Sequence, residues 1–242
     1  MEIYLLMKNN QIINCPQDSK EVKEQYSKFL KNKRVVIVGP SSHIVNSNQG
    51  ALIDSYDVVV RISHGYIIPK IFENHIGTRT DIIYDSMLPQ KGSGVTMPLD
   101  DLKDKVKWIC ASYPAEKHFQ DILNVKKKVK DKILFHIVNK KFWQGLTSYM
   151  KVPHGGTVAI LDILRYDISE LFVTGITFYQ NSKNNVHYYN GYHKENKIFK
   201  KRKNGKTSKH DPLKQLEYVK KIYNQSNIFF CDDTLKNIFI KE

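Results

Sequence analysis

Seven short apolar runs of strand length recur along the chain and leave it few choices of fold. They are RVVIV (34–38), DVVVRI (57–62), DIIYD (81–85), KWICA (107–111), KILFHIV (132–138), LFVTGI (171–176) and NIFFC (227–231). Each is rich in β-branched or aromatic side chains, the residues that fit a pleated, buried surface. Between them lie segments of helical spacing, clearest in TVAILDILRY (157–166) and DPLKQLEYVKKIY (211–223). Continuous apolar strands alternating with helices predict an α/β fold: a Rossmann-like, mostly parallel sheet flanked by helices on both faces. The 242 residues read as one domain, 1–242, long enough to bury a sizeable core.

The 41% hydrophobic and 26% charged fractions are those of a soluble globular protein, and no apolar run approaches the roughly 20 residues of a membrane span. The opening MEIYLLMKNN lacks the pattern of a cleaved signal, so a cytoplasmic location is expected. Cys15, Cys110 and Cys231 show no C-x-x-C spacing and read as buried thiols, with no zinc site and no disulfide framework. A net charge of +14 favours polyanions, anionic membrane surfaces or phosphorylated substrates without choosing among them.

Ligands of parallel sheets sit outside the carboxyl ends of the strands. That rule selects Gly39 to Ser42, Arg61 to Gly65, Asp85 and Ser86, and the loop after Ile176. The Gly39 turn can cradle a phosphate, since glycine permits close backbone approach and Ser41 and Ser42 can donate hydrogen bonds. It matches neither G-x-G-x-x-G nor a P-loop, so an ordinary strand-to-helix turn is the alternative. In PHGGTVAILDIL (153–164), two glycines precede a helix read as amphipathic, whose first amides favour an anion. His187 and His210 stand in polar, aromatic settings suited to proton transfer. There is no D-x-D triplet for a divalent cation, and Asp232 with Asp233 reads as a helix cap. The stretch 90–98 reads as a surface loop, and the basic 194–209 as a mobile loop, either a lid or a disordered insertion.

In this order the pieces resemble the sialyltransferases of glycosyltransferase family 29. IVGPSSHIVNSNQGALIDSYDVVVRIS is similar to the long sialyl motif, and IGTRTDIIYDS (76–86) to the segment that follows it. PHGGTVAILDILRYDISELFVTG resembles the short motif, HYYN (187–190) the third, and HDPLKQLE (210–217) the last. Pro40 and Ser63 replace asparagines of the family pattern, and Gln215 stands where a glutamate is expected, with Glu217 two residues on. Val35 and Ile168 occupy the positions of a family disulfide, in keeping with a reducing compartment.

The resemblance implies a GT-A-like variant of the fold and an inverting, metal-independent transfer of sialic acid from CMP-sialic acid to a glycan or glycolipid hydroxyl. Gly39, Ser41, Ser42, Ser63 and Thr78 would bind the cytidine monophosphate half of the donor. The amides of Gly155, Gly156 and Thr157 would hold the sugar carboxylate. His210 would act as general base, kept neutral by a helix start, and His187 would bond the departing phosphate. No cofactor and no metal are implied. The alternatives are another CMP-linked acidic sugar such as Kdo, a non-catalytic lectin-like relative, and a basic nucleic-acid-binding protein, for which no motif is present. The charge also admits peripheral contact with an anionic membrane.

Overall fold

The computed structural model describes residues 16–87, 102–130, 132–180, 187–189 and 209–240, together with the backbone of a small antiparallel pair, Met7–Lys8 with Gln11–Ile12. The loop expected at 90–98 and the basic one at 194–209, its last residue apart, lie outside the described residues.

All seven predicted runs are strands of one sheet: β1 (Arg34–Val38), β2 (Val58–Ile62), β3 (Ile82–Asp85), β4 (Trp108–Ala111), β5 (Leu134–Ile137), β6 (Glu170–Thr174) and β7 (Phe229–Cys231). Their order is β5-β4-β3-β2-β1-β6-β7, and every neighbouring pair is parallel. Burial explains the composition: β2 is buried at every position, so it reads as a continuous apolar run without alternation. Successive strands from β1 to β5 move outward on one side, and the chain then returns to lay β6 on the other side of β1. That reversal is a topological switch point, and in parallel sheets the ligand crevice lies at such a point, beyond the carboxyl ends of the flanking strands, here β1 and β6.

The helices are α1 (Lys20–Leu30), α2 (Gly50–Asp54), α3 (Glu73–Ile76), α4 (Phe119–Val129), α5 (Lys140–Met150), α6 (Gly155–Ile163), α7 (Pro212–Gln225) and α8 (Asp233–Ile240). Local chemistry starts several of them. The Ser19 hydroxyl accepts from the Val22 amide at 3.3 Å, Asn139 caps the Phe142 amide at 3.0 Å, and α7 opens with Asp211 followed by proline. Tyr26, Trp143 and Leu216 pack against Val35, Ile37, Val58 and Val60 on one face of the sheet. On the other, Ile53 and Ile76 meet Val36 and Val59, while Ile122 and Val125 meet Ile83 and Ile109. The helix read as amphipathic, α6, is instead buried from Thr157 through Ile163, because it packs between β2, β3 and α7 and turns no face to solvent. Cys110 is buried and Cys231 half-buried, both as free thiols. Among the described residues no helix is long and apolar enough to cross a membrane.

Beneath α1 lies a buried polar chain. His136 on β5 bonds Asp18 through Nδ1 and Asp162 through Nε2 at 3.1 Å, and Asp162 also accepts from Tyr84 (2.8 Å) and Arg165 (2.9 Å). Asp18 takes the Ile137 amide at 2.9 Å, which pins the entry of α1 to the edge strand. Burial by itself would lower the His136 pKa, but the hydrogen bonds to Asp162 and Asp18 outweigh it and carry the group up to about 9. Burial likewise opposes ionisation of Asp162, and the same bond to His136 reverses it and lowers that pKa. The charged His136 therefore contributes stability that is complete below its unfolded value of 6.5 and is lost as pH rises through about 9. Thermal melts should show a fall in Tm between pH 7 and 10. His136→Gln should abolish that fall and, by removing the cation shared by the two carboxylates, of which, among the described residues, only Asp162 keeps another in Arg165, destabilise the neutral-pH protein by roughly 3 kcal/mol.

Candidate active site

Strand β1 ends at Gly39 and β6 at Gly175, side by side at the reversal point. The Gly39 amide donates to the Thr174 carbonyl at 2.7 Å, and the Ser41 amide to the Gly175 carbonyl at 3.1 Å. A Cβ on Gly39 would stand 2.3 Å from the Gly175 carbonyl oxygen, and one on Gly175, whose φ is +72°, 2.4 Å from the Gly39 carbonyl oxygen. Neither position tolerates a side chain. The next residue, Ile176, reaches both the Gly39 turn and α6, where a Cβ on Gly156 would meet its Cδ1 at 3.0 Å. The turn after β1 and the start of α6 thus share one wall. Gly155 stands over the end of β2, its would-be Cβ 3.3 Å from Ile62. The first amides of α6, from Gly155 to Thr157, have no intrahelical partner by the geometry of a helix start.

His187 joins this turn by a backbone bridge to Ser41, reinforced by the Tyr188 amide donating to the Pro40 carbonyl at 3.1 Å. Its Nδ1 lies 2.9 Å from the Tyr189 hydroxyl. Tyr188 donates to the Gly65 carbonyl at 2.6 Å and lies 3.4 Å from the fully buried Arg61 guanidinium. Arg61 in turn donates to the carbonyls of Ile76 (2.7 Å) and Arg79 (2.9 Å) and to the Thr80 hydroxyl (3.1 Å). One side chain thus ties the three segments behind the crevice. Ser63 follows β2 directly and holds a left-handed φ of 48°. Next to it His64 stacks near Tyr66 and lies 5.6 Å from Tyr189. Burial lowers its pKa despite the opposing charge of Asp85, and His187 lowers it further.

Thr78 is not gathered with these residues. Its amide and hydroxyl are both engaged by the Asp54 carboxylate at 2.9–3.0 Å, at the amino edge of the sheet before β2 and β3 begin. Gly77, with φ +71°, is required there because a Cβ would strike Asp54 at 2.6 Å. Thr78 is therefore a structural pin, placed by its position before the strand and not after it.

His210 lies beside the start of α6. It bridges Lys151, and its Nδ1 is 2.7 Å from the Val152 carbonyl, so Nδ1 carries the hydrogen and, in the neutral ring, the lone pair falls on Nε2. His154 stacks on it with ring centroids 3.9 Å apart and is itself 5.0 Å from Tyr179. Phe178 and Tyr179 are consecutive left-handed residues, φ 47° and 61°, a strained turn at the mouth of β6. Buried Gln215 organises the group: its Oε1 accepts from the His154 amide (2.9 Å) and the Thr157 hydroxyl (2.7 Å). Glu217, two residues on, is exposed, and it is Gln215 that makes the bonds to the start of α6.

Sequence reading missed His43 and the second role of Asp232. Asp232 does cap α8, accepting from the Leu235 amide at 2.8 Å, but its other oxygen takes the Gly175 amide (3.0 Å), the Thr174 hydroxyl (2.8 Å) and His43 Nε2 (3.1 Å). Burial would raise its pKa, and these bonds, His43 first, bring it below the usual value. His43 Nδ1 lies 3.1 Å from the Ser41 hydroxyl.

The chain belongs to glycosyltransferase family 29 (sialyltransferase), which it matches over residues 5–226. It is 44% identical over 48 residues to the mouse type 2 lactosamine alpha-2,3-sialyltransferase, a stretch that covers 20% of this chain and 14% of that protein. In fold it is similar to a mammalian sialyltransferase solved in complex with Gal-β-1-3GalNAc-ortho-nitrophenol, with a TM-score of 0.56, 16% identity, and 90% and 74% of the two chains covered. The Campylobacter jejuni sialyltransferase in complex with CMP-3FNeuAc aligns with a TM-score of 0.55, 15% identity and 85% of each chain covered.

The Gln215 geometry sets an expectation. Gln215→Glu keeps an acceptor for both the His154 amide and the Thr157 hydroxyl and should melt within a few degrees of the parent. Gln215→Leu strands both buried donors and should lose about 2 kcal/mol in denaturant unfolding.

Proposed function

We propose that the chain is an inverting glycosyltransferase that transfers sialic acid from CMP-sialic acid to a glycan hydroxyl without a metal ion. The observation that carries this reading is the meeting of the Gly39 turn, His187 and the glycine-led start of α6 around one crevice, in a chain of family 29. The backbone of the turn and the hydroxyls of Ser41 and Ser42 would receive the donor phosphate, with Ser63 at the rim. The amides of Gly155, Gly156 and Thr157 would face the sugar carboxylate, where the helix dipole favours negative charge.

In the reaction, His210 Nε2 takes the proton of the acceptor hydroxyl as its oxygen bonds to the anomeric carbon. The bond from that carbon to the phosphate oxygen breaks, and its electron pair leaves with CMP. His187 hydrogen-bonds the departing phosphate, and a monophosphate leaving group asks less charge neutralisation than a diphosphate. The bond from His210 Nδ1 to Val152 holds the tautomer this role needs.

Incubation with CMP-sialic acid and a panel of galactosides, read by mass spectrometry, tests the activity, and CMP-Kdo in the same assay tests the alternative donor that Pro40 and Ser63 leave open. Absence of transfer from either donor overturns the reading. His210→Ala should lower kcat by two to four orders of magnitude with donor affinity nearly intact. His187→Ala should lower kcat and also weaken CMP binding measured by calorimetry.

A further inference from the structure

The Ser41 hydroxyl has one hydrogen, and His43 decides where it points. Nε2 of His43 faces the Asp232 carboxylate at 3.1 Å, so that nitrogen carries a hydrogen in either charge state. Nδ1, 3.1 Å from Ser41 Oγ, is then the site that gains or loses the proton. With His43 neutral, Nδ1 can only accept, and the Ser41 hydrogen turns inward to it. The hydroxyl then presents lone pairs to the crevice. With His43 charged, Nδ1–H donates to Oγ, and the Ser41 hydrogen is released outward. Ser41 makes no helix-capping bond that would compete for it.

We propose that His43 is a positioning residue that sets Ser41 as a donor to the phosphate of the bound nucleotide, so that nucleotide binding takes up a proton. The inference rests on the reading of the Gly39 turn as the phosphate site. The Asp232 carboxylate that faces His43 is held in place by Thr174, Gly175 and the α8 start. The other ionisable groups around the turn are His187, across the bridge from Ser41, and Glu73 and His75 on α3, which packs against the same segment. His187 also meets the phosphate in the proposed reaction, so the test must separate the two histidines.

The sign follows from the hydroxyl: affinity for a phosphate is higher with His43 charged and falls as pH rises. The second ionisation of CMP acts in the opposite direction but is common to every variant. Calorimetric titration with CMP at pH 6 and pH 8.5, each in two buffers of different ionisation enthalpy, reads both affinity and proton uptake. Relative to His43→Gln, the parent protein should lose about tenfold more affinity between the two pH values and take up more protons on binding. Ser41→Ala, which keeps the His43–Asp232 pair, should bind weakly at pH 6 and show the shallow slope of the glutamine variant. It also decides the matter where His43→Gln fails to fold. His187→Ala should weaken binding and retain the His43-dependent part of the slope. CMP bound with the parent's slope by both His43→Gln and Ser41→Ala overturns this inference alone. No CMP binding by the parent at either pH overturns the phosphate-site reading and this inference with it.

Discussion

The approach of two bare backbones, Gly39 and Gly175, where β1 and β6 end, is the constraint on which the site depends. A Cβ at either position would overlap the carbonyl oxygen of the other, and the left-handed φ of Gly175 adds a second reason against a side chain. Because the strands close to that distance, the Ser41 amide reaches the Gly175 carbonyl and the Gly175 amide reaches Asp232. The turn is then held from both sides of the sheet. It follows that His43, Ser41 and His187 are placed by main-chain bonds and one carboxylate.

Two buried polar side chains carry the next level of organisation. Arg61 is a cation with no exposed surface, and taking it out of water would cost several kcal/mol if its donors were unmet. They are met by three oxygens of the 76–80 segment and by Tyr188, each charge-assisted bond worth about 1.5–3 kcal/mol, so the group holds its neighbours in register. Gln215 does the same at the start of α6 without charge. A neutral amide there leaves the N-terminal field of α6 available to an anionic ligand, which a glutamate would oppose.

The histidines divide by their partners. His136 lies between two carboxylates and is held charged, a structural role far from the crevice. His64 is pushed toward neutrality by burial, and His210 is aimed by a backbone carbonyl and covered by the ring of His154. His43 faces a single carboxylate on one ring nitrogen and the Ser41 hydroxyl on the other. These partners come from elsewhere in the chain, His43 and Asp232 being 189 positions apart, so no local pattern pairs them.

The strands and the parallel sheet were legible in the chain itself. Runs such as VVIV and VVVRI can only be buried on both faces, and a sheet buried on both faces by helical crossovers is parallel. The Gly39 turn, His187, His210 and the α6 start were singled out as candidates by position after a strand and by resemblance, and the structure bridges the first two and sets His210 beside the last. Thr78 entered the candidate site by resemblance alone; it precedes the run at 81–85, and Asp54 claims it. The partnership of Gly39 with Gly175, the burial of α6 on all sides, the place of Gln215 and the link from Asp232 through His43 to Ser41 belong to the tertiary structure alone. Short-range pattern fixes which segments are strands and helices because backbone sterics and hydrophobic periodicity act within a few residues. Contacts across the sheet are decided only when distant segments close to hydrogen-bond distance, and no local pattern records their partners.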